Sequence, residues 1–223
     1  MADFKTARMN MIESQIRPNG ITDGRIIAAM SAVPREIFVP LEKQSVAYMD
    51  EDVLLSPSGD AAPRCLMEPM AFARLVQLAA IQPGDFVLDI GCASGYSIAV
   101  LAHLAQSAIA VEQDGALADT ASDNLNKLEL NNAAVLNVPH ADGCADQAPF
   151  DAIVISGRVP TVPQNLLDQL KDGGRLVAVV GDAPLAQAHL WTRHGDNFAS
   201  RADFDATVCA LPGIEIERPA FTF

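Results

Sequence analysis

Residues 85–96, Asp-Phe-Val-Leu-Asp-Ile-Gly-Cys-Ala-Ser-Gly-Tyr, hold the residue types and spacing with the most chemical consequence. An apolar run from Phe86 to Ile90 ends in five small residues, and an apolar helix-like stretch from Tyr96 to Leu104 follows. This pattern reads as a buried strand, a tight turn and a helix start. Small side chains there let a ligand lie against bare backbone, over the positive end of the helix. The segment is therefore a candidate site for a nucleotide-like cofactor, the bland alternative being an ordinary strand-turn-helix. The dinucleotide fingerprint G-x-G-x-x-G is not met. Its first two glycine positions hold Gly91 and Ala93, and its third holds the bulky Tyr96, which argues against a pyrophosphate packed on this turn. Asp89, on the strand just before the turn, suits a cofactor with a cationic end.

Later segments extend the pattern. Ala108 to Val111 reads as a second strand ending at Glu112-Gln113. An acid about 20 residues past the first turn is placed to accept hydrogen bonds from ribose hydroxyls. A nicotinamide enzyme would carry the same acid, so Glu112 supports an adenosine ligand without choosing among them. Val135 to Val138 reads as a third strand, followed by Ala141-Asp142-Gly143, where an Asp-Gly turn is common in any loop. Phe150 to Ser156 reads as a further strand. A helix over Leu166 to Leu170, stopped by Gly173-Gly174, then feeds an apolar strand reaching Val180. A G-x-G-x-G-like turn preceded by an acid resembles the first motif of S-adenosylmethionine-dependent methyltransferases. That resemblance implies that the acid of the third loop, here Asp142, faces the adenine amino group. The candidate cofactor residues are Asp89, Gly91, Cys92, Ala93, Ser94, Gly95, Glu112, Gln113, Asp142 and Gly143.

The elements that must position these residues follow from composition and periodicity. The chain has 223 residues, enough for one α/β domain with a full core, and half of them are hydrophobic, which excludes a disordered class. Strand and helix signals alternate from 85 to 180, as a doubly wound, mostly parallel sheet requires. Residues 3–47 look helical, with Met9, Ile12 and Ile16 marking one buried face, a break at Pro18-Asn19-Gly20, and Thr22 or Asp23 capping the next helix. An irregular loop with Pro57, Gly59 and Pro63 is expected over 53–65, and Pro69 opens a helix to Ala80. In the tail, His189 to Thr192 and Ala206 to Cys209 look like antiparallel edge strands around Gly195-Asp196-Asn197. The whole is read as one domain over 1–223: an N-terminal extension and substrate loop (1–68), a cofactor core (69–181) and C-terminal edge strands (182–223).

Charge and cysteine usage restrict the partners. A net charge of −13 without any Lys/Arg cluster argues against a nucleic-acid backbone. No apolar run reaches the ~18 residues of a membrane span, and Met1-Ala-Asp-Phe-Lys lacks a signal-peptide pattern. Cys65, Cys92, Cys144 and Cys209 show no metal spacing and are expected as reduced thiols in a cytoplasmic protein. The four histidines show none either, and His103, on an apolar helix, is expected to pack inward.

Residues outside the cofactor motifs are more specific. Met11-Ile-Glu-Ser-Gln-Ile16, Gly20-Ile-Thr-Asp23, Ala29-Met-Ser-Ala-Val-Pro-Arg-Glu-Ile-Phe-Val-Pro40 and Ala47-Tyr48 are similar to the protein-L-isoaspartate O-methyltransferases. Val87 to Tyr96, Asp142-Gly143, Ala148-Pro-Phe-Asp151 and the Gln169-Leu170-x-x-Gly-Gly-Arg-Leu-Val run match as well, so the resemblance spans about residues 8–181. It implies an enzyme that uses S-adenosylmethionine to methylate isoaspartyl carboxylates in damaged proteins. One segment departs. The family's Gly-Gln-Thr-Ile-Ser-Gln-Pro loop, whose Ser helps arrange the reactive carboxylate, is replaced by Leu66-Met67-Glu68-Pro69. Met67 stands for the Ser and Glu68 for the Gln, and an ionised Glu68 would repel an anionic substrate unless it points away or pairs with Arg64. Two alternatives follow: a methyltransferase of the same descent with another acceptor, or a non-catalytic S-adenosylmethionine-binding protein. No catalytic acid or base is assigned, because a carboxylate is already ionised at neutral pH and methyl transfer to it needs positioning rather than proton transfer.

Overall fold

The computed structural model describes residues 3–55 and 63–214. Pro57, Gly59 and the end of the tail lie outside them. The sheet that carries the site has seven strands: β3 (Phe86–Ile90), β4 (Ser107–Val111), β5 (Ala133–Leu136), β6 (Phe150–Val159), β7 (Leu170–Val180), β8 (Gln187–His194) and β9 (Asn197–Asp205). Their order is β5-β4-β3-β6-β7-β8-β9, with β5 to β7 parallel and β8 and β9 antiparallel at one edge. The chain leaves β3 toward β4 on one side and returns to β6 on the other. The carboxyl ends of β3 and β6 thus flank the switch point where ligands enter open α/β sheets.

Alternate strand residues bury on opposite faces. Val87, Ala110, Val154 and Val177 pack with α3 (Pro69–Ala79), α4 (Tyr96–Ala102), α5 (Gly115–Lys127) and the N-terminal extension. Leu88, Ile90, Ile153 and Leu176 pack on the other face with Leu166 and Leu167 of the short α6 (Gln164–Leu167). Both faces are covered, which is why these strands read as near-continuous apolar runs.

The extension is less regular than its periodicity predicts. Asp3 caps α1 (Phe4–Met11) through the Thr6 amide at 3.1 Å, and a π-type turn over Ile12–Ile16 follows. That turn shifts the helix register, so Met11, Ile12 and Ile16 are buried while Met9 is exposed. Asp23 is the cap of α2 (Gly24–Ala32), accepting from the Arg25 amide at 2.8 Å. Short 3₁₀ turns carry the chain over Arg35–Phe38 and Leu41–Val46.

Five expectations are corrected. The helix expected over Leu166 to Leu170 ends at Leu167, and Leu170 and Gly173-Gly174 already belong to β7. The stretch expected as wholly irregular contains a small antiparallel pair, β1 (Val53–Leu54) with β2 (Cys65–Leu66). The second edge strand is Asn197–Asp205 rather than Ala206 to Cys209, because the Gly195 turn pairs His194 with Asn197 directly. Residues beyond it return to the carboxyl edge of the sheet. Cys65 and Cys209 form a disulfide, Cα to Cα 6.2 Å, while Cys92 and Cys144 are free and buried. Sequence spacing could not reveal that pair, because the fold joins cysteines 144 residues apart. His103 is exposed, since α4 ends one residue before it. Among the described residues no helix is long and apolar enough to cross a membrane.

Candidate functional site

The parallel register aligns Asp89 with Ala110 and Ile90 with Val111, so the Gly91–Gly95 turn and Glu112 leave neighbouring strand ends together. Gly91 and Gly95 hold φ of +82° and +99°, and Ala93 also sits in the left-handed region at +51°. At Gly95 a Cβ would meet the Ala121 Cβ at 3.0 Å, so α5 packs against bare backbone there. The Ser94 hydroxyl donates to the Phe38 carbonyl at 2.5 Å, and Asn124 donates to the Ser94 carbonyl at 3.0 Å. These bonds tie the turn to the extension on one side and to α5 on the other.

Glu112 is the electrostatic centre of this edge. Its carboxylate is fully buried and accepts from the Ala93 amide at 2.8 Å, the Asp114 amide at 3.1 Å and the Arg64 guanidinium at 2.5 Å. His140 Nε2 lies 3.2 Å from its other oxygen. Burial alone would raise the Glu112 pKa, but His140, Arg64 and the Asp114 amide together hold it down at about 2. Asp89 is buried too, accepting from Ser156 Oγ at 2.6 Å and Ser97 Oγ at 2.5 Å. Here desolvation wins and lifts its pKa to about 6.

The chain itself fills the space above the turn. Arg64, 5% exposed, reaches across to Glu112 and donates to the Gly91 carbonyl at 3.2 Å. From the other side comes the segment after β9. Its Cys209 carbonyl accepts from the Arg158 amide at 2.8 Å, and the Leu211 amide donates back to Arg158 at 2.7 Å. His140 Nδ1 lies 2.8 Å from the Pro212 carbonyl, so that nitrogen carries a proton. Leu211 thereby wedges into the switch point. A Cβ built on Gly91 would stand 2.3 Å from its Cδ1, and one on Gly157 would stand 2.9 Å from its Cβ. The inner cavity beside Gly91, Cys92, Ala93, Ser97 and Ser156 measures only about 10 Å³.

The substrate-loop residues sit over the same cavity. Leu66 and Met67 line it, and Pro69 opens α3. The Met67 carbonyl accepts from Arg35 at 2.7 Å. Arg35 is itself fully buried, also donates to the Ala47 carbonyl at 2.6 Å and lies over the Tyr96 ring at 4.7 Å. The Val33-Pro-Arg-Glu-Ile-Phe-Val-Pro40 string therefore braces the loop against α4. Glu68 does not pair with Arg64, which Glu112 has taken. Its amide donates to Asp52 Oδ1 at 2.8 Å. Burial first, then the neighbouring charges of Asp50 and Asp52, raise its carboxyl pKa to about 7.

The structure thus gathers Asp89, Gly91, Cys92, Ala93, Ser94, Gly95, Glu112, Met67 and Leu66 around one point. It places Gln113 exposed beside it, its amide nitrogen 3.2 Å from His140 Nε2. Asp142 and Gly143 instead line an outer cleft of about 330 Å³ with Leu136, Val138 and Gln147. Four participants escaped the sequence reading: Ser97 and Ser156 on Asp89, His140 on Glu112, and Leu211 in the crevice. Only a strand-end position marked Ser156, and nothing local marked Leu211.

A doubly wound sheet with a glycine-bracketed first turn and a buried acid after the second strand defines a class I methyltransferase of the S-adenosylmethionine-dependent type. The narrower assignment comes from relatives. The family model for protein-L-isoaspartate(D-aspartate) O-methyltransferase matches residues 6–209. The chain is 40% identical over 182 residues to protein-L-isoaspartate O-methyltransferase 1 of Syntrophobacter fumaroxidans, covering 82% of this chain and 83% of that one. It is 36% identical to the Methanospirillum hungatei enzyme of that name, covering 86% and 87%. A solved protein-L-isoaspartate O-methyltransferase superposes with a TM-score of 0.81 at 22% identity, covering 92% of this chain and 66% of that one. A Plasmodium falciparum structure, described as a complex with S-adenosyl-L-homocysteine, gives 0.75 at 19% identity, covering 96% and 100%. The chain belongs to the protein-L-isoaspartate(D-aspartate) O-methyltransferase family.

The donor set fits the family's cofactor in kind: a bare turn, a buried acid at the adjacent strand end and an acid, Asp89, beside the crevice. It does not fit in volume. A small-molecule pocket takes roughly 300–1,000 Å³, and Arg64 and Leu211 occupy that space here. Binding requires both to move.

Proposed function

We propose that this chain methylates the carboxylate of isoaspartyl residues in damaged proteins at the carboxyl edge of β3, β4 and β6, with S-adenosylmethionine as methyl donor. The observation that carries the reading is Glu112, held at the end of β4 and bonded to the Ala93 amide of the first turn. With Arg64 displaced, its carboxylate becomes the acceptor for the ribose hydroxyls. Gly91 to Gly95 supply bare backbone along the ligand, and Gln113, Asp142 and Gly143 are assigned to the adenine end. The bound cofactor supplies an electrophilic methyl group. The protein's part is to hold the acceptor oxygen in line and exclude water. Leu66, Met67, Glu68 and Pro69, braced by Arg35, form the acceptor wall.

Partners are protein or peptide chains with isoaspartyl residues, with no role for nucleic acid or membrane. We place the chain in the cytoplasm, where a disulfide such as Cys65–Cys209 is transient or redox-sensing rather than a standing crosslink. A different acceptor is the second reading, favoured by the acidic surroundings of Met67 that Asp50, Asp52 and Glu68 create. The test incubates reduced protein with labelled S-adenosylmethionine and matched normal and isoaspartyl forms of one peptide. Methyl ester on the isoaspartyl form alone supports the reading. Methylation only of other acceptors transfers it to the second.

A further inference from the structure

Two separate parts of the chain close the cofactor crevice, and one covalent bond joins them. Arg64 lies beside Cys65, and Leu211 lies two residues after Cys209. Each is independently anchored. Arg64 holds Glu112 and the Gly91 carbonyl. The Cys209–Leu211 segment is bonded to Arg158, and the Cys209 amide donates to Asp52 Oδ2 at 2.6 Å. The Cys65–Cys209 bond therefore forms a strap over the end of the β3–β6 crevice. With the strap intact, neither Arg64 nor Leu211 swings away without dragging the other anchor set. With it broken, each leaves alone. Both cysteines are partly exposed, so a thiol can reach them, whereas Cys92 and Cys144 are buried.

We propose that the Cys65–Cys209 disulfide is a redox gate on the cofactor site, shut when oxidised and released by a dithiol reductant. One thiolate of the reductant attacks Cys65 or Cys209, forming a mixed disulfide and breaking the strap. The second thiol of the reductant then resolves the mixed disulfide. Two electrons and two protons leave the dithiol as it becomes a disulfide, and the chain gains two thiols. The freed segments let Arg64 withdraw from Glu112 and Leu211 withdraw from Gly91, which opens the volume the cofactor needs. The gate rests on the reading of this edge as the methyl-donor site.

The test compares three forms of the full chain: oxidised, dithiothreitol-reduced, and Cys65→Ser with Cys209→Ser. Calorimetry measures S-adenosylhomocysteine affinity, and hydrogen exchange measures protection of the Leu211 amide. Reduction and the double serine change should each strengthen binding at least tenfold and speed Leu211 exchange at least tenfold. The reduced wild type carries the test if the serine variant fails to fold. Equal affinity in oxidised and reduced protein overturns the gate, as does unchanged Leu211 exchange. Faster exchange with no binding in any form upholds the moving strap and sinks the donor-site reading, and with it the gate's function. Thiol-dependent binding without methylation of isoaspartyl peptide upholds the gate and sinks only the acceptor assignment.

Discussion

Replacing Arg64 with Met keeps side-chain bulk and removes the charge that holds Glu112. The Glu112 carboxyl falls from its ordinary 4.5 to about 2 in the fold. That displacement corresponds to about 3 kcal/mol of folding stability, shared by Arg64, His140 and backbone amides. Removing one partner of a buried ion pair costs about 3–5 kcal/mol, because the other charge is stranded. A loss of about 3 kcal/mol at pH 7 is therefore expected for Arg64→Met. Its pH dependence is the sharper signature. A carboxyl with a lowered folded pKa stabilises fully above its unfolded value and loses that contribution as pH falls through the folded one. The wild type should thus shed stability between about pH 4.5 and pH 2 from this group. In the variant, His140 and the backbone amides still lower the Glu112 pKa but burial is less fully offset, so part of this contribution is already gone. Urea denaturation of the oxidised proteins from pH 3 to 7 should show a gap widest above pH 5 and narrowing toward pH 3. A gap independent of pH, or a variant as stable as wild type at pH 7, would refute the assignment of Arg64 as the counter-charge of Glu112.

Three further outcomes are expected. Glu112→Ala in reduced protein should weaken S-adenosylhomocysteine binding at least tenfold, since hydrogen bonds to a charged acceptor contribute roughly 1.5–3 kcal/mol each; wild-type calorimetric affinity would remove Glu112 from the ribose site. Met67→Ser with Glu68→Gln should raise methylation of isoaspartyl peptide without changing cofactor affinity, and a lower rate would show the native loop to be a working alternative. Glu68, its folded pKa raised from 4.5 to about 7, favours the fold only while protonated, so its contribution falls as pH rises through that window. Glu68→Gln should flatten this part of the stability–pH curve, and an unaltered slope would mean that Glu68 is solvated.

The cofactor half of this protein was legible in its sequence because it is locally encoded. The apolar run of β3, the small-residue turn and the start of α4 are consecutive residues, and their boundaries at Phe86, Ile90 and Tyr96 coincide with the structure. Glu112 followed for the same reason, as the polar residue that ends the next apolar run. The family strings around Arg35 were legible as resemblance, but their task was not. That Arg35 reaches the Met67 carbonyl depends on how the extension lies against α3 and α4. Tertiary structure alone decided what occupies the site. Arg64, His140 and Leu211 meet Glu112 and Gly91 through contacts 27 to 120 residues apart, which no local pattern encodes. The disulfide is the extreme case, since 144 residues must fold before its two sulfurs meet. Sequence patterns report which face of an element is buried, because burial follows the period of the backbone. Which distant group fills a crevice depends on the packing of whole elements, and here that packing closes the site which the local sequence opens.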